Sequence, residues 1–382
     1  MNDVCERTSV VGGRVILAYI LLPHRNAFEN GGGLYMTSVC CMILTYNRKE
    51  LLSQCLTAVA SQTHPCDRII VVNNASVDDT EEFLEREWGD RVEILTLSRN
   101  IGAAGGYAMG IRAGYQSGAE LLWVMDDDVI PDAEALEKLM DARRFLQAQQ
   151  EPFPYLCSVI RTSNGLMTNT TGIDLRFNEI WDYNWPKYLD RSIVPINRAT
   201  FCATLLPRET LRDYGTLISE MFIWGDDVEY TLRASKAAPG YLVGESKALH
   251  LRKIEGDLSI FNETDPVRIG YHYFRVRNGL FIARTFHSRQ EFFAEVRLNL
   301  KRTLHLLAKG QLHKAQIMAR GIWAGLFYAP KPQSADKPFG KDDPVDFEAF
   351  NARYRERRLK YVKSVSSPSF NDNVRERVAR PL

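Results

Sequence analysis

The stretch Leu121-Leu122-Trp123-Val124-Met125-Asp126-Asp127-Asp128 decides how this chain folds. Five apolar residues in succession read as a buried strand, and the three carboxylates that follow end it abruptly. The same alternation of short β-branched runs with helical spacing extends on the N-terminal side. Val39 to Thr45 reads as a buried strand, and Leu51, Leu52, Cys55, Leu56 and Val59 then mark one face of a helix. Ile69 to Val72 is a second strand, followed by a helix over Thr80 to Glu87. Val92 to Leu97 is a third strand, followed by a helix over Gly102 to Tyr115. With Leu121 to Met125 as the fourth strand, the order is βαβαβαβ, which predicts an α/β fold: a mostly parallel sheet with helices on both faces.

Toward the C-terminus the alternation weakens after Asp141. Short strands are expected at Leu156 to Ile160 and Phe201 to Leu205, with the aromatic loop Trp181-Asp182-Tyr183-Asn184-Trp185 between them. Residues 267–330 read as a helical, basic region. Residues 331–382, with Pro332, Pro338 and Pro344, read as a basic, partly disordered tail containing one charged helix near Arg353 to Lys363. Residues 1–35, which end in Asn30-Gly31-Gly32-Gly33, read as an N-terminal extension or an appended strand ahead of a domain spanning 36–266.

The 382 residues are 45% apolar, which excludes intrinsic disorder, and 48 basic against 47 acidic side chains leave a net charge of +1. That balance hides a split: residues 1–267 hold 25 basic and 37 acidic groups, residues 268–382 hold 23 and 10. An acidic N-terminal part disfavours nucleic acid as a partner. Seven cysteines without a CxxC pair suit neither a disulfide framework nor a zinc site, and reduced thiols of a cytoplasmic protein are expected. The longest early apolar run, Val15 to Leu22, is too short to span a bilayer and lacks a signal-peptide cleavage pattern.

Ligands of open parallel sheets bind beyond the carboxyl ends of the strands. Every unusual polar cluster of the N-terminal half lies there: Thr45-Tyr46-Asn47-Arg48, Asn73-Asn74-Ala75-Ser76, Arg99-Asn100 and the aspartate triplet. Three adjacent carboxylates repel one another, and a cation is the simplest compensation. In an extended segment Asp126 and Asp128 share a face and can grip one divalent ion, with Asp127 turned elsewhere. The plainer alternative is a solvated acidic turn capping a helix that begins near Pro131. Asp226-Asp227 opens a segment of helical spacing, where free N–H groups hold carboxylates ionised as a general base requires; an ordinary acidic first turn reads the same way. His250 ends a strand-like run and becomes a candidate ligand only beside those aspartates. Gly102, Gly105 and Gly106 at a strand-to-helix turn allow either close approach of a phosphate or close helix-on-sheet packing.

In combination these residues resemble the inverting glycosyltransferases of family 2, with the GT-A (Rossmann-like) fold. The likeness covers roughly Val39 to His250, with a weaker trace over Tyr271 to Asn278. It is strongest to the rhamnosyltransferase and galactofuranosyltransferase branch, where an Arg-Asn-x-Gly-x-x-Gly-Gly turn precedes an Asp-Asp-Asp strand end. The resemblance implies a nucleotide-diphosphate sugar donor near Thr45, Asn47, Arg48, Asn73, Ser76, Arg99, Asn100, Gly102 and Asp127. It also implies a divalent metal ion, Mn²⁺ or Mg²⁺, on Asp126, Asp128 and His250, and Asp227 as catalytic base supported by Asp226. Acceptor contacts fall to Trp224, Trp181 and Trp185. The acceptor implied is a saccharide or a polyprenyl-linked glycan of cell-surface polysaccharide synthesis. Asn73 stands where the family usually has Asp, and Gly225 separates Trp224 from the aspartate pair. The pair itself resembles galactofuranosyltransferases, which favours UDP-galactofuranose over dTDP-rhamnose.

Two other classes weigh less. A nucleotidyltransferase needs a Gly-rich, basic loop after the first strand, and none follows Val39. A non-catalytic nucleotide-sugar-binding partner would have no use for the full set of carboxylates. In the basic region, Phe293, Val296, Leu300, Leu304 and Leu307 define an apolar stripe with Arg297, Lys301 and His305 beside it. Such a helix either lies on an anionic membrane, peripherally at the inner face, or packs on the catalytic domain.

Overall fold

A computed structural model of the chain describes residues 37–251, 259–347 and 350. The expected N-terminal extension and the charged helix near Arg353 to Lys363 lie outside the described residues. The first half follows the expected order. β1 (Val39–Thr45), α1 (Lys49–Ala60), β2 (Arg68–Asn73) and α2 (Thr80–Phe83, continued by a wider π turn, Leu84–Trp88) come first. β3 (Glu93–Thr96), α3 (Gly102–Gln116) and β4 (Leu121–Asp126) follow. β1 pairs in parallel with β2 on one side and β4 on the other, and β2 with β3.

Beyond β4 the sheet becomes mixed. β5 (Val129–Pro131), α4 (Ala135–Ala148), β6 (Leu156–Arg161), β7 (Gly172–Ile173), β8 (Ile193–Arg198) and β9 (Thr204–Pro207) lead into α5 (Arg208–Tyr214). Then come α6 (Asp226–Ala234) and the long β10 (Gly240–His250). The strand order is β3-β2-β1-β4-β9-β6-β10-β8-β7, with β5 paired to β10. β9 runs antiparallel to both β4 and β6, while β6 and β10 are parallel. The helix expected near Pro131 is a strand at that point, and α4 starts only at Ala135.

Strand alternation builds one core on each face of the sheet. Cys41 and Ile43 of β1 pack with Leu52 and Leu56 of α1 and with Leu136 and Leu139 of α4. Cys40, Met42 and Leu44 pack with Tyr107 and Ile111 of α3. A Cβ on Gly106 would lie 2.5 Å from Leu44 Cδ1, and one on Gly110 2.6 Å from Val72 Cγ2. The glycines of α3 therefore let the helix sit low on the sheet.

The basic region is helical as expected: α7 (Pro266–Phe286), α8 (Arg289–Ala308) and α9 (Leu312–Phe327). Val276, Leu280, Leu306, Met318 and Ile322 form their shared core. Ala104, Ile218, Met221, Phe281 and Ile282 join α7 to the N-terminus of α3. Among the described residues, no helix is long and apolar enough to cross a membrane.

Residues 331–347 depart from the loosely packed tail that their prolines suggest. Ala335 is fully buried in the α3-side core, and Thr216 N donates to Gln333 O at 2.9 Å. Arg112 of α3, 1% exposed, pairs with Asp343 at 2.6 Å, and its guanidinium lies 3.9 Å from the Phe339 ring centre.

Candidate functional site

Register places the site. Leu44 of β1 stands opposite Asp126 of β4, and Thr45 opposite Asn73 of β2, so the parallel strands end level with one another. In the antiparallel β5–β10 pair His250 faces Val129, and Leu251 N donates to Asp128 O at 2.8 Å. That pairing carries His250 to the aspartate triplet. The opposite wall of the same cleft is the N-terminus of α6, with Asp226 and Asp227 in its first turn. The cleft encloses about 840 Å³ and is lined by both carboxylate groups, with Thr45, Arg48, Asn74, Trp224 and Tyr271 among them. That volume falls within the range of small-molecule sites.

The triplet is sorted by its partners. Asp127 Oδ2 accepts from Thr45 Oγ1 at 2.7 Å, and Asp127 Oδ1 accepts from Arg48 Nη1 at 3.2 Å. Asp128 Oδ2 accepts from the same Nη1 at 2.8 Å. Asp126 Oδ1 accepts from the Tyr107 hydroxyl at 2.8 Å. Burial drives Asp127 up to about 6 against the pull of Arg48, and burial together with the charge of Asp128 drives Asp126 well above the carboxylate range. Burial raises Asp128 too, but His250 and Arg48 outweigh it and hold that carboxyl low. Arg48, although burial opposes its charge, is raised by Asp127 and Asp128. Only Asp128 of the outer two carboxylates is set to stay charged without outside help.

His250 Nδ1 lies 2.9 Å from Asn169 Oδ1, and His250 Nε2 lies 3.2 Å from Asp128 Oδ1. Because the amide oxygen only accepts, Nδ1 donates to it, which leaves Nε2 to face the carboxylate. Asp128 Oδ1 has no hydrogen-bond partner although it is buried. A buried carboxylate oxygen without a hydrogen-bond partner, facing a ring nitrogen whose other nitrogen is already engaged, fits Asp128 and His250 to a divalent metal ion. Asp126, held by Tyr107, does not converge with them as expected, and among the described residues no three His, Cys, Asp or Glu side chains gather as a metal site. One carboxylate completed by phosphate oxygens and water is an ordinary arrangement for Mg²⁺ with nucleotides, and His250 would add a nitrogen donor to it.

The α6 wall rests on an unusual turn. Phe222 (φ +64°), Trp224 (φ +63°) and Gly225 (φ +93°) all lie in the left-handed region. Two of them carry side chains, a conformation that persists only where the surroundings enforce it. Asn278 of α7, fully buried, enforces it: its Nδ2 donates to Met221 O at 2.9 Å, Ile223 O at 3.1 Å and Trp224 O at 2.9 Å. Arg277 Nη2 adds a bond to Glu220 O at 2.6 Å. Asp227 and Asp226 at the end of this turn both line the cleft, Asp227 half-buried and Asp226 buried. Burial, with the charge of Asp227, raises Asp226 to about 8; burial raises Asp227 to about 6 against backbone N–H groups. Both carboxyls are therefore easier to protonate than an isolated aspartate, Asp226 the more so because the charge of Asp227 adds to burial.

Several sequence-selected residues do not reach the cleft wall. Asn73 is buried with Oδ1 accepting from Ser76 N at 3.0 Å, and its neighbour Asn74 is the one at the wall. Asn47 and Ser76 lock the first two loops together: Ser76 Oγ accepts from Asn47 N at 3.0 Å, and Asn47 Oδ1 accepts from Val77 N at 2.7 Å. Arg99 is exposed outside the wall, as is Trp181 on a hairpin where it packs beside Phe177; Trp185 is partly buried and likewise not part of the wall. Trp224 does line it, edge-on to Tyr271.

The glycine turn is not a free phosphate cradle. Gly102 N donates to Asn100 Oδ1 at 2.8 Å, Ile101 N to Asn74 Oδ1 at 3.1 Å and Ala104 N to Phe222 O at 3.1 Å. Gly102 has φ +78°, and a Cβ there would meet Phe222 O at 2.2 Å. Its role is to let α3 abut the turn that carries the aspartate pair. Tyr107, Asn169 and Asn278 escaped the sequence reading; only Asn278 had a signal, at the end of the Tyr271 to Asn278 trace.

Comparison with known proteins finds likenesses over part of the chain. Residues 40–151 match Glycosyl transferase family 2. The chain is 28% identical over 201 residues to the galactofuranosyltransferase GlfT1 of Mycolicibacterium smegmatis, covering 50% of this chain and 63% of that one. It is 26% identical over 212 residues to the glycosyltransferase AglE of Haloferax volcanii, covering 52% and 62%. The chain thus spans less than two thirds of these relatives. Among solved structures, S. aureus TarS 1-349 in complex with UDP aligns with a TM-score of 0.44 at 14% identity, covering 81% of this chain and 98% of that one.

Proposed function

We propose that this chain, whose residues 40–151 match Glycosyl transferase family 2, transfers a sugar from a nucleotide-diphosphate donor to a saccharide hydroxyl with inversion. The observation that carries this reading is one cleft with two unlike carboxylate walls: Asp126 to Asp128 with Arg48 and His250 at the strand ends, and Asp226 with Asp227 at a helix N-terminus. The donor is UDP-galactofuranose, a choice supported by the likeness to GlfT1 and by the Asp-Asp pair. The acceptor is a glycan, free or lipid-linked.

Asp227 accepts the proton of the acceptor hydroxyl as its oxygen bonds to the anomeric carbon, while the bond from that carbon to the diphosphate oxygen breaks. One displacement inverts the centre. Asp226, holding a proton, spares Asp227 a second charge beside it. Thr45 and Arg48 fix Asp127 and Asp128 at the donor end, and Asp128 with His250 would hold a divalent cation. Such a cation, when bound, supplies charge neutralisation for the departing diphosphate. Tyr107 keeps Asp126 in place beneath them.

A screen of UDP-, dTDP- and GDP-sugars by calorimetry with Mn²⁺, each followed by product analysis on glycan acceptors, tests the reading. Binding and transfer confined to UDP-galactofuranose is the expected result. Preference for dTDP-rhamnose would reassign the donor, and pyrophosphate release from a nucleoside triphosphate would overturn the reaction class.

A further inference from the structure

Of the apolar stripe of α8, only Val296 packs against the helical core; the other four members face away from it. Asn299, Thr303 and Leu306 turn inward, whereas Phe293, Leu300, Leu304 and Leu307 are 55%, 45%, 63% and 46% exposed. At ~100° per residue these four fall within one arc of about 60° on the helix. α9 repeats the pattern: Leu312, Trp323 and Phe327 are exposed, with the two rings 5.2 Å apart. The rows approach each other in sequence at the turn between the helices, where Leu307 and Leu312 flank Lys309 to Gln311.

Charge accompanies these rows with one sign. Arg289, Arg297, Lys301 and Lys309 on or just after α8 are exposed, as is Arg320 on α9. α9 contains no Asp or Glu. Of the acids on α8, Glu291 is engaged by Ser288 in the capping box, and Glu295 lies on the flank that lines the cleft.

We infer that the exposed apolar rows of α8 and α9 dock this protein on a bilayer bearing anionic headgroups. Apolar side chains enter the headgroup–acyl boundary, and the flanking cations meet lipid phosphates. A second copy of the chain is a poor occupant, because a self-complementary interface would oppose these cations to one another with no acid to pair them. The inference stands apart from the transferase reading. Its geometric consequence is that α8 would have a bilayer at one edge and the cleft at the other, where Leu298 and Arg302 contribute to the wall.

The test is co-sedimentation of the full chain with phosphatidylcholine vesicles, with and without roughly one-third phosphatidylglycerol. Wild type should bind the anionic vesicles at least about tenfold more tightly than the neutral ones and lose binding as salt rises. Leu300→Glu/Leu304→Glu and, separately, Arg297→Glu/Lys301→Glu should each weaken binding by about tenfold or more, with UDP binding by calorimetry unchanged as evidence of folding. Equal binding to neutral vesicles, or wild-type binding by both double variants, would overturn the inference. So would a dimer in gel filtration that the Leu variants dissolve, which would make the face a self-association surface. Failure of wild type to bind UDP would count against the transferase reading alone, since sedimentation is read independently.

Discussion

At the residue scale, Asp227 is the half-buried carboxylate of a pair that burial makes easier to protonate than isolated aspartates. Asp227→Asn should lower the transfer rate by about 10²- to 10⁴-fold and leave UDP affinity intact, as measured by a coupled transfer assay and calorimetry. Because burial lifts Asp227 to about 6, its base form is gained as pH rises. The rate should therefore climb through pH about 6 and level above it. Stability runs the other way: with folded values raised above the ordinary ~3.9, the pair favours the folded state fully below that pH. The contribution is lost as pH rises through 6 and 8. Asn278 acts through the turn it clamps. Asn278→Ala should reduce kcat more than donor affinity and lower the unfolding free energy by roughly 1–3 kcal/mol, from three carbonyls left without their donor. Much of this site was legible as strand ends and a helix start. Thr45, Arg48 and Asp128 follow from that logic, because the carboxyl ends of parallel strands converge; Asp227 and His250 gained their roles only with the family resemblance. What position along a strand does not give is side-chain direction. Asn73 turns into its own loop and Asn74 to the cleft, and Asp126 finds Tyr107 from a helix whose sequence reads only as apolar.

At the element scale, β1, β2, β4 and α3 stand where hydrophobic spacing put them, because strands buried on both faces leave long unbroken apolar runs. β5 was hidden: three residues after an acidic triplet, ending in a proline, look like a helix start. Their strand character comes from pairing with β10, far along the chain. The segment 331–347 was hidden for a related reason. Proline-rich composition reads as loose, yet the partner that neutralises buried Arg112 is Asp343. Asp343→Ala should cost about 3 kcal/mol or more by leaving that cation unpaired. Asp343→Asn, which keeps an acceptor, should cost less, and urea unfolding of both variants checks the order. Gly102→Ala should damage α3 and the Phe222 turn together, since the new methyl would meet Phe222 O; loss of melting temperature and of transfer in the same variant is the expected pairing.

At the scale of the whole molecule, the near-neutral charge resolves into an acidic sheet domain that holds the cleft and a basic helical region that forms part of its rim. The sequence showed the division by counting. It could not show that the apolar row of α8 faces solvent rather than the core, because two registers on that helix offer an inward row and only packing chooses between them. In the proposed function the two walls of the cleft have separable duties, the donor at Asp128 and His250, the base at Asp227. Calorimetric titration of UDP in the presence of Mn²⁺ into wild type, Asp128→Ala and Asp227→Asn tests it most directly. Binding should be lost in Asp128→Ala and unchanged in Asp227→Asn; binding that survives in the first, or disappears in the second, would refute this division of duties.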